Sequence, residues 1–505
     1  DNPIEIEEGQ IITITQDESS FNEERIGVNY PKISQDVRVG GTILLDDGKL
    51  ALRVEKVIDT DIITRVMTGG KLTSRKRVAL PEVEVNLPSL SQKDADDIAF
   101  GVKQGVDFVA ASFVRRADDV WAVRHIIEEE GGSQAIIAKI ETRQGVDNVD
   151  DILGAADGLM VARGDLGVEL PAEEVPVIQK RIIRASNQAG KPVITATQML
   201  ESMIHNPTPT RAEANDVTNA IYDGTDAVML SAETAIGKYP RKAISFITRC
   251  AAIAENSLDY EGILAAGLRH RRPIVTDAIS YASCATAADL EAAAIITATN
   301  SGSTARMVAR YRPKAPVIAV SPIMESLRQL QLIRGVIPLP CSAASSMDEQ
   351  LDKAIHAATQ EKLIQNGDLV VITAGMPLQT SGTTNMLKVH TVEDICFTGQ
   401  GIGNQTAEGT VLIIESEADL EKIEEGTIIV VNATDSNMIP FLSRVTGIIA
   451  EQPGLTSHAA MIGRELNVPT ICDVNNATSN FQNGQQITMD CSTGHISYGD
   501  SSLHE

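Results

Sequence analysis

The rhythm of hydrophobic and polar positions in this chain changes near residue 89. Before it, β-branched runs are interleaved with polar residues: IEIEEGQIITIT, GGTILLDDGKLALRVEKV and DIITRVMTGGKL. Asp47-Gly48 and Gly69-Gly70 supply turn signals, so residues 1–88 are predicted to form an all-β module. The chain opens inside that module without a methionine, so its true start is expected upstream.

After residue 89, apolar runs alternate with stretches of helical period. The runs are DFVAASFV (107–114), AIIAKIE (135–141), GLMVARGD (158–165), PVITATQM (192–199) and AVMLSAE (227–233). Helices are predicted between them, for example over 118–130, 172–189 and 211–222. This alternation predicts an α/β fold with a buried parallel sheet. Polar residues gather at one end of every run: Ser112 and Arg115, Lys139 and Glu141, Arg163 and Asp165, Thr197 and Gln198, Ser231 and Glu233. A (β/α)8 TIM-barrel type with its site at the C-terminal face accounts for that better than an open sheet. Residues 89–257 hold five of the eight βα units such a barrel needs.

Residues 258–390 read as a second α/β unit, with strands AAAIITAT, APVIAVS and DLVVITAG. Residues 391–408 read as a Gly-containing linker. Residues 409–505 read as a small α/β module with strands VLIIE, TIIVVN, GIIAE and QITMD.

Composition narrows the class. The 505 residues are 43% apolar with a single tryptophan, Trp121, so several aliphatic cores are expected. No uncharged apolar run is long enough to span a bilayer, and no secretory signal pattern occurs. Six scattered cysteines without a C-x-x-C pair suit reduced thiols in a cytoplasmic protein. A net charge of −25 argues against nucleic acid or an anionic membrane as partner. Small anionic substrates answer to local charge and are unaffected by that sum.

Glu141 and Asp165 are the candidate metal ligands, because strand-end carboxylates can share Mg²⁺ or Mn²⁺ with substrate oxygens. An ordinary ion-pair ring with Lys139 and Arg163 is the competing reading. Gly164 and Gly167 favour the first by letting backbone approach a ligand. Lys139 lies on the same side of its strand as Glu141, where it can stabilise a transferring phosphoryl group or simply neutralise the site. Thr197 is either a substrate-facing hydroxyl or a core residue. Ser301, Gly302, Ser303 and Thr304 precede a predicted helix and can cradle phosphate or merely cap it. Thr380, Ser381, Gly382, Thr383 and Thr384 form a second such loop. His458, in GLTSHAAMIGRELNVP, is a candidate phosphocarrier or a helix-capping histidine.

The strings ASFVRR, IIAKIE, DGLMVARGDLGVE, KPVITATQML, PTRAEANDV and DGTDAVMLSAET, in this order, closely resemble bacterial pyruvate kinases. LLDDG resembles that family's β-barrel lid, residues 258–390 its regulatory domain, and residues 450–472 the phosphohistidine domain of phosphoenolpyruvate-utilising enzymes. Pyruvate kinases of Bacillus-like bacteria carry such a swivelling-type domain as an extra C-terminal module.

The resemblance implies transfer of phosphate from phosphoenolpyruvate to ADP, giving pyruvate and ATP, with Mg²⁺ and K⁺. By the same resemblance Glu141 and Asp165 ligate Mg²⁺, and Lys139 stabilises the phosphoryl group in flight. Gly164, Asp165 and Thr197 contact substrate, with Arg163 nearby, and Thr197 orders proton delivery to the enolate carbon. Ser112 and Ser231 support the site, and Lys76 approaches ADP. A phosphorylated effector, AMP or a sugar monophosphate, is expected at Ser301, Ser303, Thr304, Thr380, Ser381, Thr383 and Thr384. A homotetramer is also implied. Three further βα units are expected ahead of residue 1. Ala232 stands where the family has glycine in S-G-E-T. The alternative reading is a catalytically incomplete paralogue or fragment that binds phosphometabolites. A third makes residues 409–505 a working phosphohistidine carrier.

Overall fold

The computed structural model describes residues 3–17, 19–81, 83, 90–343, 347–375, 384–392 and 395–498. Two compact units divide the chain, Asp1–Leu363 with Leu369–His390, and Ile364–Asp368 with Thr391–Glu505.

The first unit begins with a six-stranded sheet. Its order is Arg25–Gly27, Ile11–Thr15, Asp61–Thr68, Leu50–Ile58, Thr42–Leu45 and Val78–Ala79. Alternate residues of these strands point inward, and Ile12, Ile14, Ile43, Leu52 and Ile62 are fully buried. Each such side chain contributes about 1.5–3 kcal/mol by leaving water. Asp46, Asp47 and Gly48 are all left-handed, which closes the hairpin between Thr42–Leu45 and Leu50–Ile58. The string LLDDG, which resembles the family's lid, lies in this module, called the lid below.

The barrel-type sheet follows: Phe108–Ala111, Ala135–Ile140, Gly158–Ala162, Val193–Ala196 and Ala227–Met229. All neighbours are parallel and adjacent in chain order, with Ala138 opposite both Ala111 and Leu159. Sequential order belongs to barrel-type winding; a doubly wound sheet would reverse direction at a switch point. Helices Ala117–Glu129, Val175–Ala189 and Arg211–Asp223 accompany it; the buried faces of the first two join Ile136, Ala138, Leu159 and Val161 in one core, and Val217, Ala220 and Ile221 of the third pack with Met199 and Leu200 in another. The strands are shorter than the apolar runs. Arg163 already begins a helix, Arg163–Glu169, so Asp165 stands in a helical first turn rather than on a strand. Gly164 there lets the backbone approach Thr197 closely.

A five-stranded sheet in the order Val336–Pro340, Val317–Ser321, Ala294–Ala298, Leu369–Gly375 and Thr384–Thr391 completes this unit. Arg312 and the helix Met324–Leu330 beside this sheet hold the amino end of the barrel-type sheet through ion pairs and a hydrogen bond. Arg312 binds Asp226 (2.8 Å) beside Asn187 (2.6 Å), Arg328 binds Asp107 (2.8 Å), and Ser133 donates to Glu325 (2.6 Å).

The second unit is a mixed eight-stranded sheet with the helix His458–Leu466 on it. Residues 391–408, expected to be a linker, carry the strands Ile395–Thr398 and Gln400–Ile402 and the start of Thr406–Ile413. Their glycines misled the reading: Gly399 and Gly401 pack where a β-carbon would strike the backbone of Cys472 and Cys491. Close strand approach, rather than flexibility, is what they serve.

Candidate active site

The polar groups converge at the carboxyl ends of the parallel strands. Lys139 is the next-to-last residue of its strand, and Glu141 follows the strand directly. The period of two puts both on one face, and Lys139 Nζ lies 2.8 Å from Glu141 Oε1. The same ammonium donates to Ser112 Oγ at 2.8 Å. Glu141 is only 1% exposed, and its second oxygen accepts the Phe113 backbone N–H at 2.6 Å. That donor is aimed by the left-handed backbone of Phe113 (φ 53°), a conformation costly for a bulky residue.

Thr197 stands one residue past its strand. It and Gln198 both have positive φ, at 67° and 54°. The Thr197 hydroxyl donates to the Ala196 carbonyl (2.6 Å) and accepts the Gly164 N–H (2.7 Å). Arg163 binds this turn from below: its guanidinium donates to the Thr197 carbonyl (2.6 Å) and the Ala196 carbonyl (3.3 Å). It also grips Asp216 through two contacts of 2.7 and 2.8 Å. Of the competing ion-pair ring with Lys139 and Arg163, the structure forms the Lys139–Glu141 pair and gives Arg163 to Asp216.

Asp165 is met by Arg77 of the lid, whose guanidinium also lies 4.7 Å over the Phe113 ring. Lys76, next to it, pairs within the lid with Asp46 at 2.7 Å. That hydrogen bond holds the Asp46 carboxyl below its usual range and raises the Lys76 ammonium above its own. Glu169, at the end of the Asp165 helix, is pushed up by burial, with Arg77 opposing the shift and Asp165 adding to it. The Ser231 N–H binds Glu233 Oε2 at 2.8 Å, and Glu233 Oε1 receives the Leu200 N–H at 3.0 Å. A cleft between lid and sheet is bordered by Lys76, Arg77, Ser112, Phe113, Arg143 and Glu169.

Arg77, Phe113, Asp216 and Glu233 were not singled out as site residues from the sequence. Glu233 carried a signal as a strand-end carboxylate beside Ser231, and Phe113 and Asp216 lie within ASFVRR and PTRAEANDV. Arg77 and Asp216 reach the site from 88 and 53 residues away, with no local pattern to announce these pairings.

Among the described residues, no group of three or more His, Cys, Asp or Glu side chains could hold a metal ion. Two hard carboxylates at one mouth still suit Mg²⁺, which is commonly held by one or two carboxylates with substrate phosphates and water.

Elsewhere in this unit, Thr304 and Thr384 meet at 3.0 Å through buried hydroxyls. Ser303 opens the helix Ser303–Ala309, Gly302 precedes it in a left-handed conformation, and the Ser301 carbonyl accepts from Arg306 at 3.0 Å. Thr380, Ser381 and Thr383 lie outside the described residues. In the second unit, His458 is the first residue of its helix, and its Nδ1 lies 2.7 Å from the Thr434 hydroxyl.

Fold and strand ends together define an α/β-barrel protein with its polar groups at the carboxyl face. Residues 1–244 match the family description "Pyruvate kinase, barrel domain", residues 277–390 "Pyruvate kinase, alpha/beta domain", and residues 423–494 "PEP-utilising enzyme, mobile domain". Proteins named pyruvate kinase from Geobacillus stearothermophilus, Sporosarcina psychrophila and Bacillus licheniformis are 49%, 47% and 46% identical to it. Each alignment covers 99% of this chain and 86% of the relative. The chain belongs to the pyruvate kinase family. Among the described residues, no helix is long and apolar enough to cross a membrane.

Proposed function

We propose that this member of the family moves the phosphoryl group of phosphoenolpyruvate to ADP, giving pyruvate and ATP, at the strand ends around Lys139. The observation that carries this reading is the Lys139 ammonium, 2.8 Å from both the buried Glu141 carboxylate and the Ser112 hydroxyl. A cation fixed from two sides is pre-organised for the charge of a phosphoryl group in transfer.

In this reading Glu141 and Asp165 hold Mg²⁺, and K⁺ is the second cofactor. The bound metal supplies charge stabilisation to phosphoryl oxygens. Gly164 and Asp165 line the substrate position, and Lys76 serves the nucleotide from the lid. The Thr197 hydroxyl directs a proton to the enolate carbon. Arg163 is a positioning residue, fixing the turn that presents Thr197. Ser112 and Ser231 support Lys139 and Glu233.

A coupled assay of the chain with phosphoenolpyruvate, ADP, Mg²⁺ and K⁺ tests this. Lys139→Met is expected to lower kcat by about 10²–10³ in a chain that still folds but is less stable, since Glu141 is left buried without its cation. Unchanged turnover in that variant would overturn the role. Absence of turnover in the unsubstituted chain would favour a paralogue that binds phosphometabolites without converting them.

The Thr434–His458 contact supports a second activity in the C-terminal unit. In the tautomer whose Nδ1–H donates to Thr434, Nε2 carries the lone pair and can accept a phosphoryl group. Mass spectrometry after incubation with phosphoenolpyruvate should find phosphate on His458; a clean peptide would rule that role out.

The effector reading places a phosphorylated ligand, AMP or a sugar monophosphate, near Ser301, Ser303, Thr304 and Thr384, with Thr380, Ser381 and Thr383 of the neighbouring loop. Thermal-shift titration with both tests it, and no shift with either counts against it. A cytoplasmic homotetramer completes the proposal.

A further inference from the structure

The two candidate metal carboxylates are each met by a cation of the chain itself. Lys139 comes from the strand that precedes Glu141, and so belongs to the site. Arg77 comes from the lid and reaches Asp165 across 88 residues of sequence. Three features hold it there. The Arg77 carbonyl accepts the Asp46 N–H at 3.1 Å, which ties its backbone to the left-handed hairpin turn of the lid. At that turn, a β-carbon on Gly48 would stand 4.0 Å from Val168, on the helix that carries Asp165. The guanidinium itself stacks 4.7 Å over Phe113, whose N–H binds Glu141.

We infer that Arg77 is a resident counter-ion of the metal centre, a positioning residue that trades places with the divalent cation at Asp165. This rests on the assignment of Glu141 and Asp165 as the ligands. The charges require an exchange. Two carboxylates facing Lys139 and Arg77 are already neutral as a set. A divalent ion that takes both carboxylates displaces Lys139 and Arg77 from them, with Glu169 the remaining acidic group acting on Arg77, beside the place where a phosphate and a carboxylate must bind. Arg77 thus opposes the metal when the metal binds alone and favours the anionic substrate once it is bound. Its guanidinium can move between carboxylate and phosphate because both offer the same paired oxygens.

Loss of the Arg77 guanidinium should have two effects of opposite sign. Mn²⁺ binding to the full chain without substrate, followed by the electron paramagnetic resonance of the free ion, should tighten about three- to fivefold in Arg77→Met, the scale of a partly exposed ion pair. Phosphoenolpyruvate binding in the presence of saturating Mn²⁺, followed by calorimetry, should weaken by a similar factor or more in the same variant. Phe113→Leu, which removes the ring and keeps the charge, should shift Mn²⁺ affinity in the same direction by less. A merely structural Arg77 would weaken both ligands together, and that result, or an unchanged Mn²⁺ affinity, overturns the inference. Asp165→Asn separates the two levels of the argument. If it leaves Mn²⁺ binding intact, the ligand assignment fails and the counter-ion role with it. If it abolishes binding while Arg77→Met changes nothing, only the counter-ion role fails.

Discussion

Gly164 and Thr197 meet across neighbouring strand ends, the Gly164 N–H donating to Thr197 Oγ1 at 2.7 Å. A β-carbon on Gly164 would stand 3.3 Å from that oxygen and 3.5 Å from Thr197 Cβ. The glycine is required for this close approach, since its own backbone is in an ordinary helical conformation. A methyl group there must push the hydroxyl aside. Gly164→Ala is expected to fold and to lose about tenfold or more in kcat, because small displacements of a positioned group are costly. Steady-state kinetics beside a melting curve checks this, and a normal kcat would show that Thr197 has slack.

The positive φ of Thr197 and Gln198 has to be sustained by their surroundings, and Arg163 sustains it through Asp216 and two carbonyls. Arg163→Lys keeps the charge and loses the planar fork. It should lower kcat and also reduce thermal stability, by about 1–2 kcal/mol for the lost charged hydrogen bonds. Asp216→Asn should show the same pair of effects, more weakly.

Arg312 and Asp226 form a buried ion pair that joins the second α/β sheet to the amino end of the barrel-type sheet, with side chains only 12% and 3% exposed. Removing the cation alone leaves the Asp226 charge buried with the Val193 and Arg334 N–H groups as its remaining donors. Arg312→Met should therefore cost about 3–5 kcal/mol, measured by urea unfolding. Adding Asp226→Asn should recover part of that loss, the signature of a coupled pair.

Glu169 carries a pH signature. Burial raises its pKa, so the folded chain takes up its proton more readily than the unfolded one. The stability this lends is full below the ordinary glutamate value of 4.5 and is lost as pH rises through the raised value. Glu169→Gln should accordingly be the more stable protein at neutral pH, with its advantage shrinking towards pH 4. Melting temperatures across that range check the sign.

Much of the barrel-type sheet could be read from the chain alone because buried parallel strands and amphipathic helices write their period locally. Lys139 and Glu141 belong to that level, since a spacing of two on one strand puts both on the same side whatever surrounds them. Asp165 was readable as a residue and misplaced as an element. The apolar run continues into a helix without a break, and periodicity over so few residues does not separate the two states. The stretch 391–408 failed for a related reason, because glycines that admit close strand packing look the same in sequence as glycines that loosen a linker.

Local periodicity and the identity of the strand-end residues were thus determined by the sequence by itself. It supplied five strand ends, two carboxylates, a lysine and a threonine at the mouth. Tertiary structure decided who faces whom. Arg163 goes to Asp216 and the Thr197 turn, Glu233 ties Leu200 to Ser231, and the lid sets Arg77 on Asp165. These pairings depend on how whole modules dock. A guanidinium tens of residues from its partner leaves no trace in the pattern until apolar burial has brought the two together.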